Sequence, residues 1–161
     1  MDLHELQSTD LPQILDVQKD AYREELLESG DTFSRIIVVF PRGCLGVFVD
    51  SRLVSYVFSH PWRSDRIVPL DDPRTALPLD ADCLYIHDLA VRKSYHGKGV
   101  GTCLVKALVC LAEESGFHRL ALVAVQESEA FWERWGFRRD EPLMYASNVP
   151  ATHMVLNRDV L

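Results

Sequence analysis

The run His96-Gly97-Lys98-Gly99-Val100-Gly101-Thr102 places three alternating glycines between a strand-like stretch and a long amphipathic segment. Such a run can cradle a phosphate. Glycine lets the backbone approach a ligand closely and take positive φ, and the free N–H groups at a helix start favour a pyrophosphate. A glycine-rich strand-to-helix turn uses the same residues, so the neighbours must decide between the two. A GxGxxG dinucleotide fingerprint fails at Thr102, and no GxxxxGK occurs. Upstream, Tyr85 and His87 alternate with Ile86 and Asp88, so the pleat of a strand sets the two pairs on opposite faces. His87 is a candidate base, or a histidine hydrogen-bonded within the sheet. Asp88, in a buried-looking strand, must be paired. It orients a neighbour, caps a backbone group, sits at a bulge or meets a substrate ammonium.

The elements that hold these residues follow from pattern. A first helix starts after Asp10, with Pro12 in its first turn and Gln13 completing a capping box, and it runs to Gly30. Its later half sets Glu24, Glu25 and Glu28 beside Leu26 and Leu27, which reads as a solvated acidic face or as a rim that attracts an acceptor. Cys44 to Val49 and Leu53 to Ser59 form an antiparallel hairpin through Asp50-Ser51-Arg52. His60 to Asp82 holds four prolines and reads as a long loop, a lid or a connector, in which Pro61-Trp62 offers an aromatic wall. Leu84 to Val91 is a strand and Val100 to Ser115 a helix stopped by Gly116. Arg119 to Gln126 is an apolar strand that the crossover helix makes parallel to its predecessor. Ser128 to Trp135 makes a short helix, and Leu143 to Tyr145 and Thr152 to Leu156 are the last β stretches.

With 161 residues, 47% of them hydrophobic, the chain has the size of one domain, spanning 1–161. Acidic residues outnumber basic ones, 24 to 17, and the basic ones are scattered, so nucleic acid is excluded as a direct ligand. A cationic acceptor suits the net charge of −7, as does ordinary solubility. Cys44, Cys83, Cys103 and Cys110 form no CxxC pair and read as buried reduced thiols, with no zinc site. No apolar run approaches about 20 residues, so no membrane span is expected, and the opening residues do not resemble a signal peptide. A soluble, cytoplasmic protein is the expectation, with assembly as a homodimer open.

Leu89-Ala90-Val91, the His96 to Gly101 loop and Ala130-Phe131-Trp132-Glu133-Arg134-Trp135-Gly136-Phe137 together resemble the GNAT superfamily of acetyl-CoA-dependent N-acetyltransferases. Leu53-Val54-Ser55-Tyr56, followed by His60-Pro61-Trp62, extends the resemblance over most of the chain. It implies a single α/β domain of the α+β type. Its mixed, mostly antiparallel sheet of about six or seven strands splays between two parallel central strands, with helices on both faces. It implies acetyl-CoA as co-substrate, without a metal. The pyrophosphate would lie on His96, Gly97, Lys98, Gly99, Val100, Gly101 and Thr102, with His96 replacing the family's Arg or Gln. The pantetheine arm would lie along Leu89, Ala90 and Val91, the Leu89 N–H facing the thioester carbonyl, and Ser128 and Trp132 would border the thiol.

The implied reaction is direct acetyl transfer to a primary amine of a small molecule or peptide. Some local similarity to the arylalkylamine branch, which carries a catalytic histidine at the position of His87, assigns His87 as base. That branch has a second histidine where this chain has Tyr85. The tyrosine that many members use to protonate the departing thiolate is Trp132 here, and indole cannot supply that proton. Tyr85 leads the substitutes, ahead of Tyr145 and a water relayed by Ser128. Unassisted departure of a thiolate of pKa about 8.5 is a further route. A chain that binds acetyl-CoA without turning it over, as a sensor or regulatory domain, is the alternative. Phe131, Trp132, Trp135 and Phe137 read as helix-to-sheet packing or an acceptor wall.

Overall fold

The computed structural model describes residues 1–73, 76–146 and 148–158. Seven strands, β1 (Asp2–Glu5), β2 (Cys44–Val49), β3 (Arg52–Trp62), β4 (Cys83–Val91), β5 (Arg119–Ala124), β6 (Arg138–Tyr145) and β7 (Val149–Asn157), form one sheet in the order β1-β2-β3-β4-β5-β7-β6. Every neighbouring pair is antiparallel except β4 and β5. Helices α1 (Leu11–Ala21) and α2 (Gly30–Val39) cover one face, burying Ile14, Val17, Phe33 and Ile37 against Tyr56, Phe58 and Ala90. Helices α3 (Val100–Glu114) and α4 (Glu129–Glu133) cover the other, where Leu104, Leu108, Trp132 and Phe137 pack on Leu84, Ile86, Leu120 and Leu122. The expected splayed, mostly antiparallel sheet with helices on both faces is what the chain forms.

The splay follows from the ladder. β4 pairs with β5 only over Leu84 to Ile86, against Leu120 to Leu122. A register shift against β3 at Phe58/Ser59 leaves His87 as the extra residue, since Phe58 faces Asp88 and Ser59 faces Ile86. This β-bulge bends β4 away from β5. It also corrects the alternation expected from sequence. Cys83 and Tyr85 before the bulge, and Ala90 after it, pack on the α1/α2 side or its continuation, while Ile86 and Leu89 pack on the α3 side. His87 and Asp88 therefore face the same side rather than opposite sides.

Three expected boundaries are corrected. The first helix stops at Ala21, where Tyr22 is extended (φ −118°, ψ 149°), and Gly30 opens α2 instead of closing α1. β3 runs through Pro61 to Trp62; β2 reaches only to Phe58, so the missing N–H of Pro61 breaks no ladder with β2. Trp62 is consequently core, packed with Val68, Cys83 and Tyr85, and not a loop aromatic. β6 starts at Arg138, five residues before the expected Leu143, because an exposed edge strand carries little apolar signal. β1, an exposed edge strand, was not expected at all. The two-residue turn at Asp50 and Ser51, with φ of 49° and 63°, is the hairpin turn that sequence implied. Residues 74 and 75 of the expected long loop lie outside the described residues. Of the four thiols expected to be buried, Cys44 and Cys83 are, whereas on α3 Cys103 is half-buried and Cys110 exposed.

Candidate functional site

A cleft of about 860 Å³ runs along the splay, from the start of α3 to the linker between α1 and α2. At one end stands the glycine entry. Gly97 and Gly99 have φ of +74° and +80°, a region that L-residues avoid, and a Cβ at either would meet no atom within 4 Å, so the backbone there faces open space. Gly99 is the residue preceding α3 and no side chain caps the helix. The first-turn N–H groups of α3 are thus left for a ligand. Gly97, Gly99, Val100, Gly101 and Thr102 line this end, and Ser128, Phe131 and Trp132 line it from α4. The residues present fit the pyrophosphate and pantetheine of a coenzyme A thioester.

His96 also lines the cleft, but its Nε2 donates to the Val91 carbonyl at 3.1 Å, which fixes that nitrogen as the protonated one. Lys98 turns away, its ammonium 4.9 Å from the Tyr95 ring centre, and is not among the lining residues. Leu89, Ala90 and Val91 border the splay. Their end of β4 is fixed by Arg92, which donates to the Leu53 carbonyl at 2.9 Å and to Asp16 at 2.6 Å. Opposite them the turn that follows β5 holds Gln126 and Glu127, two non-glycine residues with φ of 53° and 60°, strained backbone of the kind that clusters at functional sites.

The other end of the cleft is built from side chains. His87 Nε2 donates to Glu28 Oε1 at 2.8 Å, and both side chains are almost fully buried, 2% and 3% exposed. Glu28 comes from the linker between α1 and α2 and is held on every side. Its main chain exchanges two hydrogen bonds with the Gln18 amide, at 2.7 and 3.0 Å, and its Oε2 accepts from the Asp71 N–H at 2.9 Å. Burial is the largest influence on His87 and lowers its pKa. The Glu28 charge and hydrogen bond, with Asp88 and Asp72, outweigh it, and the imidazole is held above its ordinary value. Asp88 is pushed up to about 6, first by burial and then by the Glu28 charge, against the hydrogen bonds of Tyr22 and Tyr56. The Tyr56 hydroxyl donates to it at 2.7 Å, and the Tyr22 hydroxyl donates to the Leu89 carbonyl at 2.6 Å.

The structure brings together every expected site residue except two, Lys98 and Tyr85. Tyr85 is buried in the layer of Trp62 and Val68, and its hydroxyl accepts from the Val68 N–H at 3.2 Å. The Tyr145 hydroxyl donates to the Val68 carbonyl, so this candidate donor is also committed to that loop, although its ring lines the cleft. Trp132 packs edge-on to Phe131 and Phe137 at 4.9 and 5.4 Å. Sequence did not point to Tyr22; it offered Gln126 only as the end of a strand, and Glu28 only with Glu24 and Glu25 as a solvated face or an acceptor-attracting rim. Gln126 accepts from the Arg23 N–H at 2.9 Å and donates to the Ala21 carbonyl at 3.1 Å, tying the α1 end across the splay. Among the described residues no His, Cys, Asp and Glu cluster could hold a metal ion, and no helix is long and apolar enough to cross a membrane.

Fold and cleft define a class: a mixed α/β domain opened between two parallel strands, with an uncapped glycine entry to the helix that joins them. The model of the acetyltransferase (GNAT) family matches residues 2–137. The chain belongs to that family. It is 26% identical to serotonin N-acetyltransferase of Macaca mulatta over 113 residues, 70% of this chain and 54% of that protein, so it matches about half the length of this relative. Among solved structures, it superposes on the loading GNATL domain of CurA from Lyngbya majuscula with a TM-score of 0.82 at 14% identity, covering 97% of this chain and 96% of that one. The GphF GNAT-like decarboxylase, solved with isobutyryl-CoA, gives a TM-score of 0.80 at 11% identity and covers 98% and 99% of the two chains. At these identities the structural likeness speaks to fold alone.

Proposed function

We propose that this chain transfers the acetyl group of acetyl-CoA to a primary amine by direct attack of the amine on the thioester carbonyl. The observation that carries the reading is the Glu28–His87 pair, held at 2.8 Å where β4 parts from β5, in the same cleft as the uncapped glycine entry. An alkylamine of pKa near 10.4 is almost wholly protonated at neutral pH, so a base must free its lone pair. His87, its Nε2–H held by the Glu28 carboxylate, accepts the proton at Nδ1, directly or through one bridging water. The N–C bond forms, the carbonyl oxygen gains charge facing the Leu89 N–H, and the C–S bond breaks with its electron pair leaving on sulfur. Tyr85 lies outside the cleft lining and the Tyr145 and Tyr22 hydroxyls donate to the Val68 and Leu89 carbonyls, so the thiolate, of pKa about 8.5, departs without a phenol donor.

Free thiol released from acetyl-CoA across an amine panel tests the transfer, with calorimetric titration of acetyl-CoA testing binding separately. Turnover of at least one amine is expected. The absence of acetyl-CoA binding at millimolar concentration would end the reading. Binding without turnover on any acceptor would favour a sensor, a reading that rests on the buried indole of Trp132 where relatives place a proton donor.

A further inference from the structure

The amine acceptor can be narrowed from the walls of its end of the cleft, on the assumption that the transfer proposed above takes place. Leu26, Tyr145, Val149 and Ala151 are buried in one cluster, with Tyr22, Leu70, Val123 and Val125 packed against it. These residues come from four separate segments: the linker between α1 and α2, the loop between β3 and β4, the end of β5 and the β6–β7 hairpin. Those segments are also tied by hydrogen bonds. Asp71 accepts from the Ser29 N–H at 2.8 Å and from the Thr32 hydroxyl at 2.7 Å, Tyr145 bonds Val68, and Gln126 spans Ala21 and Arg23. The strands and linkers that would have to part to admit an extended chain are therefore joined across the end of the cleft.

Within this enclosure the lining divides by chemistry. Tyr22, Leu26, Leu70, Val123, Val125 and Tyr145 present apolar or aromatic surface. The floor carries Glu28, Asp88 and His87. A buried acidic floor is relieved by one ammonium, and apolar walls penalise a second charge placed against them. A largely apolar cleft with a few convergent polar groups is the pattern of a small-molecule site.

We propose that the acceptor is a compact primary amine with one ammonium and an apolar body, seated between the Leu26–Tyr145 cluster and the Glu28–Asp88 floor. Polyamines are disfavoured by the walls, and peptide N-termini and protein lysines by the closure.

The test is acetylation of 2-phenylethylamine, spermidine, a tetrapeptide with a free N-terminus and an Nα-blocked lysine tetrapeptide by the intact chain, followed by thiol release. The expected result is a kcat/KM for 2-phenylethylamine at least about tenfold above each of the other three, the discrimination that burial of a few apolar groups supplies. Equal or faster turnover of spermidine or either peptide overturns the compact amine while leaving acyl transfer standing. Thiol release with none of the four, while another amine of the panel is turned over, overturns this inference and leaves the transfer standing; no release with any amine of the panel, while acetyl-CoA binds, overturns both. Leu70→Phe, which narrows the pocket from its loop wall, should raise the KM for 2-phenylethylamine several-fold with the Kd of acetyl-CoA unchanged. An unchanged KM in a variant that melts like the parent places the amine elsewhere and overturns the proposal.

Discussion

The two ends of the cleft are built on different principles. The glycine entry is main chain from one continuous run of sequence, and its side chains either vanish, as at Gly97 and Gly99, or turn away, as at Lys98. The Glu28–His87 end is side chain throughout, assembled from α1, the α1–α2 linker, β3, β4 and the loop after β3. The first tolerates side-chain change but not backbone change. The second depends on single atoms, because each carboxylate or hydroxyl there is buried with its partners fixed. Substitution at the two ends should therefore separate binding from turnover.

The largest separation is expected at Glu28 and His87. His87→Ala and Glu28→Gln should each lower kcat by roughly 10²–10⁴-fold, the range of a positioned general base, while calorimetry finds the Kd of acetyl-CoA unchanged. A matching loss of affinity would place the pair in binding and erase the contrast. The pH profile sharpens the assignment. The base works when neutral, and His87 is held above its ordinary value, so kcat/KM should fall as pH drops through a midpoint above about 6.5. The groups that set this midpoint are Glu28 on the linker, Asp88 on the same strand and Asp72 on the loop; His60 on β3 has its ring 6.1 Å from that of His87. Glu28→Gln removes the main raising influence and leaves burial, so the residual activity should titrate at lower pH. A midpoint that does not move removes Glu28 from the base.

This contrast also explains what could be read from sequence. Local, backbone-built features announce themselves: the glycine run, the Asp50-Ser51 turn and the long amphipathic α3 are each contiguous. Glu28 was hidden because the stretch from Glu24 to Glu28 was laid on a continuing helix. The helix ends at Ala21, the linker changes phase, and Glu28 turns inward while Glu24 and Glu25 stay exposed. The extended Tyr22 and the start of a new helix at Gly30 are the local cause, and Ser29-Gly30 was the available signal, readable as a helix start as well as a stop. Asp88 was legible as a buried charge needing partners, but Tyr56 and Tyr22, 32 and 66 positions away, were not. The bulge at His87 has no signature in residue type, since either neighbour could occupy it.

Asp88 offers a stability test at the side-chain end. Its folded pKa of about 6 lies above the ordinary 3.8, so the protonated form is the one the fold favours. The stabilisation from that proton is fully present below about 3.8 and is lost as pH rises through about 6. The interval is on the order of 3 kcal/mol as an upper bound. Asp88→Asn, which keeps an acceptor for the Tyr56 hydroxyl, should gain stability relative to the parent between pH 4 and pH 8. Thermal melts showing a difference in Tm independent of pH would mean that Asp88 is ionised throughout.

At the backbone end the effects are smaller and appear in affinity. Gly99→Val forces a β-branched residue to φ +80°, strain of about 1–3 kcal/mol, and should weaken acetyl-CoA by about tenfold or more with kcat at saturation nearly retained. His96→Ala should do least. His96 makes one exposed hydrogen bond, to the Val91 carbonyl, and leaves the first-turn N–H groups of α3 untouched. Its loss is worth about 0.5 kcal/mol, so the Kd of acetyl-CoA should change by no more than about threefold. A tenfold loss would mean that the imidazole leaves Val91 to meet the pyrophosphate, and the entry would then resemble the other end in depending on a side chain after all.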